Sequence, residues 1–164
     1  MITYKIGNLF DNLVDNTIVV HCVNNLGVFG GGFTYPLDKF FPTNTDAYKN
    51  WAAEHNKDIP QGQVLFVRQD FEGKNIWIAN AVAQLGVISV TNPRPFKEES
   101  LAESLNCVAN FAHPKDEIFM PRICAGLSGG KWVEIEPIIE KHLGHLNVTV
   151  FTLPHEAAQF GMRL

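Results

Sequence analysis

Buried apolar runs alternate with segments of helical period along this chain, and that alternation restricts the fold more than any other feature. The run "TIVVHCV" (17–23) is β-branched and continuous, as in a strand covered on both faces. The segments 97–113 and 131–143 instead place apolar residues at helical spacing. Strands that alternate with helices predict an α/β sandwich, three layers deep, around a mixed, mostly parallel sheet.

The other elements fit this prediction. We expect further strands at residues 1–6, 63–69, 75–84, 117–123 and 148–153, and further helices around 33–41 and 43–55. The strands on either side of "DFEGK" form a hairpin, and Thr43 or Thr45 is suited to cap the helix over 43–55. A length of 164 residues fits one domain, residues 1–164, in which 154–164 form a tail whose packing the sequence does not decide.

Composition and charge exclude several classes of protein. A hydrophobic share of 46% and a charged share of 18% are ordinary for a globular chain. The net charge is −4 and no run of Lys or Arg occurs, which argues against nonspecific nucleic-acid binding. No apolar stretch approaches the roughly 20 residues that span a bilayer, and "MITYKIGNLF" lacks the features of a signal peptide. We therefore expect a cytoplasmic protein without membrane contact.

The three cysteines, Cys22, Cys107 and Cys124, lie far apart and show no metal-binding spacing. We expect them to be small buried thiols in a reducing cytosol. No acidic cluster suits a binuclear metal site. The sequence therefore predicts neither a metal nor a cofactor.

Two glycine-rich loops follow buried strands. "NNLGVFGGGF" comes after 17–23, and "CAGLSGGKW" comes after 117–123 and leads into the helix at 131–143. In open α/β sheets ligands bind at the carboxyl ends of the strands, where glycines let main-chain amides approach an anion. Neither loop has the pattern of a P-loop or a Rossmann fingerprint. One loop alone is explained by turn geometry, whereas two predict a ligand with two phosphates, or with a phosphate and a sugar.

The order and spacing of four stretches resemble a macro domain: "HCVNNLGVFGGGF", "WIANAVAQLGV", "MPRICAGLSGGKWVEIEPIIEKHL" and "VTVFTLP". The chain is most similar to the group of ADP-ribose-1″-phosphate phosphatases, and also to the terminal ADP-ribose glycohydrolase branch. The resemblance implies a mixed sheet of about six strands with a cleft for ADP-ribose at the strand ends.

The resemblance also implies roles for individual residues. His21 and Asn25 are the candidate catalytic residues, and the buried pattern of "VVHCV" leaves a structural role for His21 open. Leu153, with Pro154 after it, lies where the family walls the adenine. The residues expected to contact the ligand are Asn8, Leu9, Asn24, Gly30, Gly31, Gly32, Phe33, Gln84, Ala125, Gly126, Leu127, Ser128, Gly129, Gly130 and Leu153.

The chain departs from the family pattern at three places. Gly7-Asn8-Leu9 carries an asparagine where an aspartate usually holds the adenine amino group, and Asn8 is equally suited to cap a turn. The glycohydrolase branch uses a lysine after the hairpin strand and an acid in the second loop, whereas this chain has "NAVAQ" and Ser128. A covalent lysine mechanism is therefore disfavoured.

The resulting expectation is a monomeric enzyme that binds ADP-ribose and hydrolyses ADP-ribose-1″-phosphate to ADP-ribose and phosphate. Two alternatives stay open at this point. One is hydrolysis of ADP-ribose esters on macromolecules, and the other is a non-catalytic reader of ADP-ribose.

Overall fold

A computed structural model describes the whole chain, residues 1–164, as one six-stranded sheet with helices on both faces. The strands are β1 (Ile2–Ile6), β2 (Thr17–Asn24), β3 (Val64–Phe71), β4 (Lys74–Gln84), β5 (Glu117–Met120) and β6 (Asn147–Thr152). The α-helices are α1 (Thr34–Phe40), α2 (Pro42–Glu54), α3 (Glu98–Phe111) and α4 (Trp132–Leu143). Three short 3-10 helices span Leu9–Asn12, Gly126–Ser128 and Pro154–Phe160.

The sheet has the strand order β1-β6-β5-β2-β4-β3. Every neighbouring pair is parallel except β3 and β4, which form the expected antiparallel hairpin. Parallel strands need crossover connections, which the helices between them supply. The predicted three-layer fold with a mixed, mostly parallel sheet is therefore confirmed.

Side chains alternate between the two faces of the central strands. Ile18 and Val20 of β2 pack with the apolar faces of α3 and α4. Val19 points to the opposite face, where it packs with α1 and with the 3-10 helix at Leu9–Asn12. Helix α2 covers the same opposite face beyond α1, with the fully buried Tyr48 beside Val23. Both faces of β2 are covered, which explains its continuous apolar sequence.

Two local predictions are wrong. Helix α2 begins at Pro42, and its cap residue is Phe41 rather than Thr43 or Thr45. Proline suits the first helical position because its fixed φ is already helical and it has no N–H to satisfy. Strand β5 ends at Met120, three residues before the predicted end, although its partner β6 continues to Thr152. The next residue is Pro121, which has no N–H to donate to the ladder.

The C-terminal residues pack back onto the body of the protein. The 3-10 helix Pro154–Phe160 buries Ala157, which is 1% exposed. None of the helices combines the length and the apolar character that crossing a membrane requires.

Candidate functional site

A large cleft opens at the carboxyl edge of the sheet, with a volume of about 850 Å³. Strand β2 pairs with β5 only as far as Val19 and Phe119, although β2 continues to Asn24. Beyond that level β2 and β5 no longer pair with each other, although β2 stays paired with β4 and β5 with β6. The cleft lies between the chain segments that follow β2 and β5, and both glycine-rich loops contribute to its wall. The two strand exits thus meet at one site, as the parallel order of the sheet requires.

The first loop is built on Asn24 and Tyr48. The Asn24 side chain donates to the carbonyl of Val28 at 2.8 Å and accepts from the N–H of Leu26 at 2.9 Å. The Tyr48 hydroxyl lies 2.8 Å from Asn24 Oδ1 and accepts from the N–H of Gly27. Burial raises the pKa of Tyr48, so the hydroxyl keeps its proton. Asn24 lines the cleft, but its polar atoms hold the loop itself in shape.

Asn25 lies outside the cleft wall and is 5% exposed. Its Nδ2 donates to Asp58 Oδ1 at 3.0 Å, and its Oδ1 accepts from the N–H of Gly86 at 2.8 Å. Both ends of the amide are thereby used to fasten the first loop to two neighbouring loops. The geometry gives Asn25 a structural role and leaves no atom of its amide directed at a ligand.

Gly30, Gly31 and Gly32 form the exposed tip of the first loop and line the cleft. Gly32 has a φ of +62°, a backbone conformation that residues with a Cβ rarely adopt. A Cβ added at Gly30 or Gly32 meets no atom within 4 Å. The loop therefore presents bare main chain to open space, while the adjacent Phe33 packs back against Phe10 with ring centroids 5.4 Å apart.

The second loop lines the cleft from Ala125 to Ser128 and turns through a short 3-10 helix. Gln84, at the end of β4, donates from Nε2 to the hydroxyl of Ser128. This contact positions both predicted residues at the same wall. Gly129 and Gly130 do not line the cleft. A Cβ at Gly130 would lie 2.4 Å from the carbonyl oxygen of Cys124, so this glycine is required for close packing of the loop.

His21 lines the cleft but is only 2% exposed. Its Nε2 lies 2.6 Å from Oδ1 of Asn80, while its Nδ1 is buried without a hydrogen-bond partner. The rings of Phe29 and Phe33 pack against the imidazole, with centroids 5.8 and 5.9 Å away. Burial lowers the pKa of His21 to about 4, and the hydrogen bond to Asn80 offsets part of that shift. The imidazole is therefore neutral at pH 7.

Cys22 and Cys124 both line the cleft and are joined by a disulfide, with their Cα atoms 5.9 Å apart. The expectation of buried free thiols is thus wrong for this pair, and it is wrong on burial for Cys107, which is free but exposed. Residues 102 positions apart meet because β2 and β5 run parallel and end at the same edge of the sheet. Sequence spacing alone gives no sign of this proximity.

Asn8, Leu9 and Leu153 line the end of the cleft where the resemblance predicts an adenine. Asn8 caps the 3-10 helix that follows, because its Oδ1 accepts from the N–H of Phe10 at 2.9 Å. Leu9 is 3% exposed and belongs to the core, whereas Leu153 is 39% exposed and faces open space.

Arg122 is the one arginine or lysine in the cleft wall, and Glu156 is the one carboxylate. The Arg122 guanidinium stacks on Phe160 at 3.8 Å from the ring centroid and donates to the hydroxyl of Thr152 at 3.1 Å. Burial lowers the pKa of Arg122, and the nearby Glu136 carboxylate offsets part of the shift. An arginine keeps its charge under such conditions, so the guanidinium is a fixed positive charge in the cleft wall, with the carboxylate of Glu156 nearby.

Several wall residues were not predicted from the sequence: Phe29, Arg122, Glu156, Gln159 and Phe160. Arg122 follows a strand exit two residues before the second loop, and that position was a usable signal. The C-terminal residues Glu156, Gln159 and Phe160 carried no such signal, because no local sequence pattern indicates where a C-terminal segment packs. No group of three or more His, Cys, Asp or Glu side chains is arranged to hold a metal ion.

Comparison with known proteins connects this architecture to relatives of similar length. No protein-family model matches the chain. An ADP-ribose 1″-phosphate phosphatase of Candida albicans is 27% identical over 92% of this chain and 99% of its own length. A phosphatase of the same name from Saccharomyces cerevisiae is 21% identical over 93% of this chain and 98% of its own length.

Several solved structures have a fold similar to that of this chain. A protein of unknown function from Bacteroides thetaiotaomicron has a TM-score of 0.81 and 31% identity, covering 92% of this chain and 97% of its own. A macrodomain protein from Streptomyces coelicolor has a TM-score of 0.75 and 28% identity over 93% of this chain and 99% of its own. Thermosipho africanus DarTG, solved in complex with ADP-ribose, has a TM-score of 0.73 and 16% identity over 94% of this chain and 42% of its own.

The fold and the cleft define a three-layer α/β/α protein whose candidate ligand site lies between two glycine-rich loops at the carboxyl edge of the sheet. The predicted resemblance to a macro domain is confirmed: the chain has the macro domain fold, and its sequence is similar to those of a macrodomain protein and of two ADP-ribose 1″-phosphate phosphatases.

Proposed function

We propose that this protein binds ADP-ribose in the cleft and hydrolyses ADP-ribose-1″-phosphate to ADP-ribose and inorganic phosphate. The observation that carries the proposal is the convergence of both glycine-rich loops on one cleft that also contains Arg122. The names of the two relatives, each matched along nearly its whole length, support the reaction.

The diphosphate would lie between Gly30–Gly32 and the 3-10 helix Gly126–Ser128. Main-chain N–H groups at such loops bind anions without the desolvation cost of a buried lysine. Arg122 would supply the one formal positive charge of the cleft wall, beside Phe160. The base would then lie toward Leu153 and Phe160, where the cleft wall is apolar and aromatic.

The chemistry would depend on a neutral His21. Hydrolysis of the phosphate ester needs a positioned water and a stabilised leaving group. The unpartnered Nδ1 of His21 is an acceptor and suits a hydrogen bond from a ligand hydroxyl or a water once Phe29 or Phe33 moves aside. With its lowered pKa, His21 would position that group more effectively than it would hold a proton.

A second candidate function is non-catalytic recognition of ADP-ribose. The observation that favours it is the engagement of Asn25 with Asp58 and Gly86, which removes one of the two predicted catalytic residues from the cleft. Recognition needs the two loops and Arg122 but no acid or base.

One pair of measurements tests both candidates. Purified protein is titrated calorimetrically with ADP-ribose, and phosphate release from ADP-ribose-1″-phosphate is then followed over time. The phosphatase function is supported if the wild type releases phosphate and His21→Gln reduces that turnover at least tenfold. The exposed control His145→Gln should leave the turnover unchanged. Binding without turnover of this compound, or of ester-linked ADP-ribose, supports the recognition module. Absence of binding at millimolar ADP-ribose contradicts both.

A further inference from the structure

The disulfide between Cys22 and Cys124 crosses the point where the sheet opens. Main-chain pairing of β2 with β5 ends at Val19 and Phe119, and Cys22 lies three residues beyond Val19. Cys124 follows the end of β5 at Met120 by four residues. The disulfide is therefore the covalent link between two chain segments that no longer share a hydrogen-bond ladder. Its Cα separation of 5.9 Å is normal for a protein disulfide.

The same two cysteines mark the starting points of the glycine-rich loops. Cys22 lies two residues before Asn24, which shapes the first loop, and Cys124 is the first residue of the second loop, directly before Ala125. Both cysteines are part of the cleft wall. The bond thus restrains the distance between the two loops at the cleft itself.

Cys124 needs such a restraint because its backbone is in an unfavourable region. Its φ is +60°, a left-handed conformation that is unfavourable for a residue with a Cβ. Two contacts act against this cost: the disulfide and the hydrogen bond from the N–H of Gly130 to the Cys124 carbonyl at 3.0 Å. Without the disulfide one of these contacts is lost, and the second loop gains conformational freedom that a ligand must remove on binding.

We propose that the Cys22–Cys124 disulfide is a reversible clasp that fixes the spacing of the two loops, so that ADP-ribose binds the oxidised protein more tightly than the reduced protein. This inference rests on the proposed binding of ADP-ribose in the cleft. It adds redox control of that binding, which the proposed function does not contain.

The opening step uses a small thiol reductant of the dithiol class. A thiolate of the reductant attacks one sulfur, the Cys22–Cys124 bond breaks, and a mixed disulfide forms. The second thiol of the reductant then displaces the protein sulfur and becomes part of a cyclic disulfide. The protein gains two electrons and two protons as two thiols, and the reductant is oxidised by the same two electrons. Closing is the reverse exchange, in which a small disulfide takes up the two electrons and is reduced to its thiols as the Cys22–Cys124 bond re-forms.

Thermodynamic linkage makes the effect reciprocal. If oxidation strengthens ADP-ribose binding about tenfold, saturating ADP-ribose favours the disulfide by the same factor. A tenfold change in the equilibrium of a two-electron couple corresponds to a shift of about 30 mV in reduction potential. Bound ADP-ribose should therefore make the disulfide harder to reduce.

The test compares oxidised and dithiol-reduced wild-type protein. Alkylation under denaturing conditions counts the free thiols, since Cys107 reacts in both forms while Cys22 and Cys124 react only after reduction. Calorimetric titration with ADP-ribose is expected to give about tenfold tighter binding to the oxidised form. Cys107→Ser is the control and should show the same ratio. Cys22→Ser with Cys124→Ser should bind like the reduced protein, with folding checked by circular dichroism.

The outcomes separate the clasp from the proposed function. Equal affinity in the two redox forms overturns the clasp and leaves ADP-ribose binding in place. Tighter binding to the reduced form also overturns it. Alkylation of all the cysteines in oxidant-treated protein shows that no disulfide forms and rejects the clasp as well. Absence of ADP-ribose binding in either form overturns the clasp together with the proposed function.

Discussion

The imidazole Nε2 of His21 lies 2.6 Å from the side-chain oxygen of Asn80, in the buried layer beneath the cleft. The orientation of the Asn80 amide is fixed from its other end, because Nδ2 donates to the carbonyl of Leu65 at 3.1 Å and to Asn44 at 2.8 Å. Asn80 Oδ1 is therefore an acceptor, and His21 must carry its proton on Nε2. The lone pair of Nδ1 is left without a partner.

This relationship predicts the protonation state of His21. The imidazole should be the neutral Nε2–H tautomer at pH 7, because burial lowers its pKa from 6.5 to about 4. Nitrogen-detected NMR of ¹⁵N-histidine protein would show the tautomer directly. A His21 signal that titrates near pH 6.5 would contradict the prediction.

The same burial predicts acid sensitivity of the fold. Between pH 6.5 and about 4, His21 is protonated in the unfolded state but stays neutral in the folded state. The contribution of neutral His21 is therefore fully present above pH 6.5 and is lost as pH falls toward 4, by about 3 kcal/mol at most. Denaturant unfolding at several pH values measures this slope. His21→Gln should remove it and the exposed His145→Gln should keep it, whereas equal slopes in both variants would reject the explanation.

Replacing Arg122 by glutamine should weaken ADP-ribose binding about tenfold, because hydrogen bonds to charged groups contribute about 1.5–3 kcal/mol. The variant also loses the stack on Phe160, so its melting temperature should fall. Calorimetry at two salt concentrations measures the affinity and its ionic component. Arg68, an exposed arginine paired with Asp70 outside the cleft, provides the matched control Arg68→Gln. Unchanged affinity of Arg122→Gln would show that this charge does not contact the ligand.

The tip of the first loop allows ligand contact to be separated from backbone strain. Gly30→Ala adds a methyl group in open space at an ordinary φ, so stability should not change while ADP-ribose affinity falls. Gly32→Ala adds the same group at a φ of +62° and should also lower stability by about 1 kcal/mol. Thermal unfolding and calorimetry on the two variants provide the comparison. Full affinity in Gly30→Ala would exclude close approach of the ligand to this loop.

Asn25→Ala should lower the free energy of unfolding by about 1–3 kcal/mol, because it removes the two hydrogen bonds of the buried Asn25 amide, to the N–H of Gly86 and to the carboxylate of Asp58. Denaturant unfolding is the measurement. Loss of turnover without loss of stability would contradict the structural role and restore Asn25 as a catalytic residue.

The sequence predicted the layers of this protein well because the relevant forces are local. Strand β2 and helices α3 and α4 follow from apolar residues at the spacing of a buried strand or an amphipathic helix. The two glycine-rich loops were likewise visible, because unhindered main chain at a strand exit needs glycine whatever surrounds it. These features together were sufficient for the fold and for the edge of the sheet that carries the cleft.

Side-chain partners were decided by the tertiary structure. Asn24 and Asn25 are chemically identical neighbours, yet one shapes the cleft wall and the other turns away to Asp58 and Gly86. Their directions depend on groups that are distant in sequence, and no local pattern specifies those groups. The joining of Cys22 to Cys124 and the stacking of Phe160 on Arg122 arise in the same way. Local periodicity determines which segments become strands and helices, whereas the contacts of a polar side chain are set only when those segments are packed together.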